Sequence, residues 1–477
     1  MYDIAVIGGG VVGGAILREL TRYKLKAVLL EKEPDVCMGA SKANSGIVHA
    51  GFDALPGSNK AIFNVLGNKM MKRYAKDLGV KYKNNGSLVV AFGEKDREKL
   101  SELLLRGRKN GVRGLKIISG KKLRRLEPNI SENATCALYA KTGGIICPYE
   151  LTIAAIGNAM DNGANLLTEF NVVKISKTGE GFTITSEDGK SVTAKTIINV
   201  AGAGSGKIAN LCGDDSVKIG FRRGEYLLLD RESGDLVSHT LFFTPTEKGK
   251  GILVSNTVDG NIILGPTAEE LGEYDVSTTA NGLDSVIKKA KEMVKNPPLY
   301  STITSFAGVR AYAKDRHDFI IERSAKVKGL INVCGIESPG LTSAPAIGKF
   351  VAQKLIPEEL RSERNKGYIK KRKPDYYFGA LSTRKKNKII EKNADYGKIV
   401  CRCEKITEGE IREIIRKNPR ATTVDAVKRR LRAGMGRCQG GFCQPRVAEI
   451  LSEELDIPLE KVKKSVKGSE LLAGKSK

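Results

Sequence analysis

Four cysteines near the C-terminus, Cys401-Arg402-Cys403 and then Cys438 and Cys443 within GMGRCQGGFC, have the residue type and paired spacing of a thiolate metal site. Four thiolates complete either an all-thiolate zinc site or a [2Fe–2S] cluster. The CxC half argues against zinc, whose pairs usually run from CxxC to CxxxxC, without excluding it. At the other end of the chain, Gly8-Gly9-Gly10-Val11-Val12-Gly13 satisfies GxGxxG. Gly8 permits a tight turn, Gly10 lets the backbone approach a pyrophosphate, and Gly13 allows close helix–strand packing. Glu31 ends the next strand-like run, AVLLE, where a carboxylate accepts bonds from ribose hydroxyls; an acid there favours FAD or NAD over NADP. Between these lies KANSGIVHAGFDALPGSNKA, residues 42–61, with one of the chain's three histidines, His49. Small side chains let a backbone lie against a flat ring, and a near-neutral His can take a proton during alcohol oxidation. On spacing alone, a structural hydrogen-bonding role for His49 competes with that one.

Residues 1–31 must position the glycine loop as a βαβ unit: YDIAVIG, the Gly-rich turn, a helix through Ala15, Ile16 and Leu20, then AVLLE. SLVVAF (87–92), FTITS (182–186), TIINVAG (196–202) and LINVCG (330–335) are further strands. LTIAAIGNAMDNGA (151–164) is a helix, as is a stretch from about Ser343 to Leu355 that Pro357 ends. The expected fold class is α/β (α+β). A Rossmann-like dinucleotide-binding domain (1–80, 146–215, 319–356), which the resemblance given below makes FAD-binding, encloses an antiparallel substrate domain (81–145, 216–318). A basic linker (357–395), a small helical metal module (396–460) and a tail (461–477) follow.

The chain has 477 residues, 41% apolar and 28% charged, enough for several cores. It has no uncharged apolar run of transmembrane length. MYDIAVIGGG enters a strand directly, without the pattern of a secretory signal, which makes a cytoplasmic location the expectation. In a reducing cytosol, clustered cysteines are metal ligands or redox groups rather than disulfides, and isolated Cys37, Cys136, Cys147, Cys212 and Cys334 are small core residues. The net charge of +26 raises the question of nucleic acid, but lysines are spread along the chain and no nucleic-acid-binding motif accompanies them. Residues 361–400, with 13 Lys/Arg against 4 Asp/Glu, are a solvated linker or a surface for an anionic substrate or acidic partner.

Six ordered segments, YDIAVIGGGVVGGAI, NSGIVHAGFDALPG, INVAGAGSGKIANL, NIILGPTAEE, FAGVRAYAKDRHDFIIE and GIESPGLTSAPAIG, resemble the FAD-dependent glycerol-3-phosphate dehydrogenase/oxidase branch of the D-amino-acid-oxidase-like flavoenzymes over residues 1–355. L-2-hydroxyglutarate oxidases share an NSG-x-x-HAG stretch, and GFDALPG is closer to the glycerol-phosphate side. Residues 398–455 resemble the bacterioferritin-associated-ferredoxin-like [2Fe–2S] domain found in the large subunit of anaerobic glycerol-3-phosphate dehydrogenases. That resemblance makes Cys401, Cys403, Cys438 and Cys443 cluster ligands, with Gly434, Gly436, Gly440 and Gly441 leaving amides free to approach sulfur.

Carried over residue by residue, the first resemblance implies that Gly8, Gly10, Gly13 and Glu31 hold ADP, and that Ser41 and Ser45 lie near the pyrophosphate and flavin. Val173 would meet adenine through its backbone, Ala201 and Gly202 would form a second flavin contact, and Gly340, Leu341 and Thr342 would turn amides toward the flavin N1/O2 edge. Substrate would fall to His49, Lys250, Arg310, Arg316 and Ser338, with His49 taking the hydroxyl proton and Arg310 fixing the alkoxide-like oxygen; surface pairing with Asp315 or Asp318 is the competing role for the two arginines. The implied activity is oxidation of sn-glycerol 3-phosphate to dihydroxyacetone phosphate, with electrons leaving through the cluster to a partner, a flavoprotein or membrane-linked subunit. A 2-hydroxy-acid or amine dehydrogenase on the same scaffold, and a non-catalytic electron-transfer subunit, are the rival readings.

Overall fold

The strand Tyr2–Ile7 is buried from Ile4 onward because it runs mid-sheet, parallel to Ala27–Leu30 on one side and to Ser191–Asn199 on the other. Apolar residues on both strand faces are what a parallel sheet covered on both sides requires. The computed structural model describes residues 1–245, 251–357, 360, 362–375 and 377–474. Among the described residues, this sheet has eight strands in the order Val172–Thr178, Gly181–Ser186, Ser191–Asn199, Tyr2–Ile7, Ala27–Leu30, Asn165–Leu167. Leu330–Cys334 pairs parallel with the last residues of Ser191–Asn199 and carries Ile320–Arg323 antiparallel beside it.

Helix Val11–Leu20 lies between helices Pro148–Asp161 and Gly340–Phe350. Glycines make that closeness possible: a Cβ on Gly14 would press into Ile156, and one on Gly348 into the Ala15 backbone. Gly340–Phe350 begins three residues before the expected Ser343 and passes into a π-helical turn, Val351–Leu355.

A second, nine-stranded and largely antiparallel sheet uses strands from residues 87–140 and 219–313, with the long pair Ile219–Leu229 and Thr302–Ala313 at one end. Ser87–Ala91 and Thr240–Phe243 form its parallel pair, joining the two sequence segments into one sheet. A three-stranded patch, Ile47–Val48, Gly144–Ile146 and Tyr82–Lys83, bridges the two bodies.

The C-terminal module is built on helices Glu408–Arg416, Val424–Leu431 and Gln444–Leu455 around a core of Ile411, Ile414, Ile415, Val427, Leu431, Ile450 and Leu451. Thr407 and Glu410 close a capping box that starts the first of these helices.

Two expectations need correction here. Residues 357–395 are not simply a solvated linker. They contain helix Thr383–Lys392, and buried Arg372 pairs with Asp161 and donates to the Asn418 carbonyl. The carbonyl of Ile369 accepts from Asn158 at 2.9 Å and from Asn162 at 3.0 Å, so the segment is strapped along helix Pro148–Asp161. Composition cannot tell a cation with a buried counterion from a solvated one. The segment from 461 onward is likewise more than a tail, since Val462 belongs to the module's core and Lys463 bridges to Glu470.

Candidate functional site

The glycine loop is shaped before any ligand is considered. Gly8 has φ +123°, and a Cβ there would collide with the Val200 carbonyl and touch the Ala201 backbone, so only glycine fits. A Cβ on Gly13 would overlap the Gly8 carbonyl oxygen, which explains the third glycine of the motif. Glu31 Oε2 accepts the Gly9 N–H at 2.7 Å and Oε1 the Glu33 N–H at 3.0 Å, while burial pushes its carboxyl up to about 7. Ser41 Oγ accepts the Val11 N–H at 2.9 Å, the first amide of helix Val11–Leu20, whose N-cap Gly10 has no side chain to do so. Gly202, at φ +55°, follows Ala201 into a short 3₁₀ turn, and Val173 falls at a bulge with no residue opposite it in the ladder. Glycine cradle, helix N-terminus and carboxylate at the end of the second strand form a donor and acceptor set that suits the pyrophosphate and ribose of FAD.

Facing the 41–49 stretch is one side of the long strand pair in the second sheet. Tyr226 and Phe306 stand opposite each other and stack with centroids 4.8 Å apart; next come Gly224 and Gly308, then Arg222 and Arg310. Residues two apart on a strand share a face, so these three pairs line one surface. Tyr226 is hydrogen-bonded to Ser45, and burial raises its phenol to about 12. A Cβ on Gly308 would overlap the Ala43 carbonyl oxygen. Ser45, Ala43 and their neighbours therefore lie against a strip that is aromatic at one end, bare in the middle and cationic at the other. Arg310 Nη2 donates to the Thr267 carbonyl at 2.8 Å. Arg222 pairs with Glu270 at 2.6 Å and Glu337 at 3.4 Å, and Glu337 also holds Lys60 at 2.7 Å.

His49 is fixed from several sides. Its N–H donates to Thr342 Oγ1 at 2.9 Å, and its carbonyl accepts from Asn64 at 2.8 Å and Asn68 at 3.1 Å. Its Nε2 lies 3.4 Å from Ser338 Oγ, and its ring is 5.9 Å from that of Phe242. Thr342 thus joins the start of helix Gly340–Phe350, with Gly340 and Leu341, to the histidine strand.

Two substrate assignments do not come together here. Arg316 is 49% exposed and pairs with Glu322 at 2.8 Å, not with Asp315, which pairs with Lys218, nor with Asp318, which caps helix Asn59–Leu78. Its surface position makes it an ion-pair residue. Lys250 lies outside the described residues.

The four cysteines pair across the two loops rather than within them. Cys403 and Cys438 sulfurs are 3.8 Å apart, and Cys401 meets Cys443. A metal ion with tetrahedral ligands about 2.3 Å away places two sulfurs about 3.8 Å apart. A single zinc ion would draw all four that close, yet no three of these sulfurs come within 4.8 Å of one another. The two thiol pairs suit a group of two ions better, and Cys401, Cys403, Cys438 and Cys443 would hold a [2Fe–2S] cluster there. Amides of Glu404 and Gly434 approach the Cys401 sulfur, and those of Gly440 and Phe442 the Cys438 sulfur. Gly434 and Gly440 reach this with φ +91° and +97°. Cys401 and Cys443, each 2% exposed, face the module's core, and Cys403 is exposed.

Sequence reasoning missed the residues that dock this module. Asp35, 2% exposed, takes Arg430 through two bonds of 2.9 Å and Arg429 at 2.6 Å. These guanidiniums hold its carboxyl below the usual range despite burial. Arg432 donates to Glu404 at 2.9 Å, to Asp259 at 2.8 Å and to Asn261 at 3.1 Å, tying the cluster loop to the second sheet. Beside it Tyr149 Oη reaches Met435 Sδ at 3.5 Å. Cys147, Glu150 and Asp259 gather there with ligand atoms within 4.8 Å, but Lys81 and Arg432 already neutralise Asp259, and burial keeps the Cys147 thiol protonated. The arginine runs are visible in sequence; their counterions are hundreds of residues away.

Comparison with known proteins finds two families in the chain. The family described as FAD dependent oxidoreductase matches residues 3–354, and the BFD-like [2Fe-2S] binding domain matches residues 399–453. A glycerol 3-phosphate dehydrogenase of Caloramator mitchellensis is 46% identical, covering 100% of this chain and 99% of the relative. The structure of L-alpha-glycerophosphate oxidase from Mycoplasma pneumoniae with FAD bound superposes with a TM-score of 0.73 at 30% identity, covering 78% of this chain and 98% of that one. An L-2-hydroxyglutarate dehydrogenase of Pongo abelii is 29% identical, over 74% of this chain and 87% of the relative.

Proposed function

The chain belongs to the FAD dependent oxidoreductase family, and on that premise we propose that it oxidises sn-glycerol 3-phosphate to dihydroxyacetone phosphate and delivers the electrons to a separate acceptor. The observation that carries the reading is the full-length match to a glycerol 3-phosphate dehydrogenase, which spans both the arginine-lined face and the four-cysteine module. FAD supplies a two-electron acceptor for hydride and the [2Fe–2S] cluster a one-electron relay. Residues 1–80, 146–215 and 319–356 would hold the flavin, and 81–145 with 216–318 the substrate.

His49 takes the hydroxyl proton of the substrate through Nε2, the atom that faces Ser338. Three side chains, Thr342, Asn64 and Asn68, grip its backbone, so the ring is aimed before substrate arrives, which is the geometric condition for general-base work. Arg310 fixes the oxygen that becomes alkoxide-like. A phosphate monoester carries nearly two negative charges, for which Lys250 would supply a cation beside Arg310; Arg222, across the strand pair, already shares its charge with Glu270 and Glu337. Gly340, Leu341 and Thr342 open a helix whose positive end stabilises negative charge on the flavin side. The acceptor is a partner protein, either a flavoprotein or a membrane-linked subunit met at the cytoplasmic face; no helix among the described residues is long and apolar enough to cross a membrane.

Anaerobic titration with glycerol 3-phosphate, followed by optical and EPR spectra, tests this directly. The flavin band should bleach and a reduced-cluster signal appear, with L-2-hydroxyglutarate producing neither. His49→Ala and Arg310→Ala should slow bleaching by about 10²-fold or more, whereas Arg316→Ala should change it less than about twofold. Bleaching by 2-hydroxyglutarate but not by glycerol 3-phosphate would refute the substrate assignment.

A further inference from the structure

Electrons that reach the cysteine module must leave it on one side. Of the four ligand thiols, Cys401 and Cys443 look inward and Cys403 looks out, so the Cys403 side is the exit. Around it, Arg402 and Lys405 are exposed and have no ion-pair partner among the described residues. The other charges on the two loops are already committed: Glu404 to Arg432 and Arg231, Arg437 to Asp230 and Glu232, Arg446 to Glu408, Glu449 and Glu453. Phe442, one residue before a ligand cysteine, is 83% exposed, beside the side-chain-free surface of Gly441. A phenyl ring in water on a glycine-rich loop does nothing for the module's own core, which lies on the Cys401 and Cys443 side.

We infer that Phe442, Arg402 and Lys405 form the docking surface for an acidic, one-electron carrier protein that receives electrons at the Cys403 edge; this rests on the proposed electron exit through the cluster. One aromatic anchor flanked by uncommitted cations has the composition of a small transient protein interface. A lipid surface fits less well, since polybasic membrane recognition uses clusters of about 4–8 basic residues next to an amphipathic helix or a membrane span. Complementary charge also suits the task, speeding encounter more than it tightens the complex, as repeated one-electron exchange requires. Oxidation of one glycerol 3-phosphate to the ketone releases two electrons and two protons, so it reduces two one-electron carriers in turn.

Ferric cytochrome b5, an acidic haem protein, and ferric cytochrome c, a basic one of similar size, are suitable probes with the intact holoenzyme. Calorimetry at about 20 and 150 mM salt should show cytochrome b5 binding that weakens about tenfold or more at the higher salt, and no binding of cytochrome c. The double variant Arg402→Glu/Lys405→Glu should weaken cytochrome b5 binding at least tenfold, and Phe442→Ser about five- to tenfold. Both variants should keep the wild-type cluster content and substrate-driven flavin bleaching. Equal binding of the two cytochromes, or variants that bind cytochrome b5 like the wild type, would overturn the inference. So would binding to phosphatidylserine vesicles that the variants lose while cytochrome b5 binding is unchanged, or a cluster potential that shifts in the double variant with cytochrome binding intact. A cluster that stays oxidised when glycerol 3-phosphate is added would instead sink the proposed electron route, whichever way the binding result falls.

Discussion

Replacing Asp35 with Asn should loosen the C-terminal module from the first sheet without touching either cofactor site. The carboxylate is the sole anion bonded to two buried guanidiniums, Arg430 through both oxygens and Arg429 through one, among the described residues. Arg430 keeps backbone partners at Pro419 and Ala426, so the loss is of charge compensation rather than of every hydrogen bond. Removing one partner of a buried pair costs about 3–5 kcal/mol, because the remaining charge is left uncompensated. At about 1.4 kcal/mol per tenfold, that is roughly 10² to 4 × 10³ in the population of the opened module. Native-state hydrogen exchange reads this directly: amides of helix Val424–Leu431 should exchange about 10²- to 4 × 10³-fold faster in the variant, with those of the strand Tyr2–Ile7 unchanged. The pH dependence supplies an internal check. Since the folded-state value of Asp35 is depressed, its stabilisation is complete above the ordinary carboxylate value near about 4 and is lost as pH falls through the depressed one. Asp35→Asn should lack that share of acid destabilisation. Exchange in the helix within about threefold of wild type at neutral pH would refute the claim that this ion triad holds the module in place.

Two further outcomes concern the flavin side. Glu31→Gln presents an amide N–H to one of the two backbone N–H groups the carboxylate now accepts, and should raise the FAD dissociation constant of the apoprotein about 10- to 100-fold, measured by flavin fluorescence. Because an acid with a raised folded-state value takes up a proton on folding, the FAD-free protein should lose stability as pH rises from the ordinary glutamate value near about 4.3 toward about 7, and the variant should lose less, as urea titrations across that range will show. Gly308→Val forces a side chain into the Ala43 carbonyl, so it should displace the 41–49 stretch and lower flavin content at least about tenfold with the circular dichroism preserved; normal flavin content would remove that contact from the account.

The legible parts of this chain were those whose chemistry is local. Gly8, Gly13 and Glu31 lie within one βαβ unit, and their turn, packing and end-of-strand positions follow from spacing; the crossed pairing of the cysteine loops needed the folded module to appear. Arg310 could be singled out from its motif, but Arg222 could not, because its place beside Arg310 is set by the register of two strands more than 80 positions apart in sequence. Arg316 illustrates the converse limit of a local reading. It stands in the same motif as Arg310, yet a turn after the strand sends it to Glu322 at the surface. Burial decides the meaning of the basic residues throughout: Arg372, Arg429, Arg430 and Arg432 belong to the interior, and in sequence they are indistinguishable from the solvated lysines beside them.

That interior use of charge bears on how the module works. Modules joined by a long basic segment ordinarily move relative to their neighbours. Here residues on both larger bodies hold the module, Asp35 on the first and Asp259 with Asn261 on the second, and the connecting segment is itself bound along helix Pro148–Asp161 by Arg372 and the Ile369 carbonyl. Each of those buried ions costs desolvation, which its partners offset only when the geometry is kept. A module fixed in this way cannot carry electrons by swinging between sites. Its inward thiols stay against the module's core and its outward thiol stays at the surface, so on the proposed route an acceptor would come to Cys403, and the residues around Cys403 would select it.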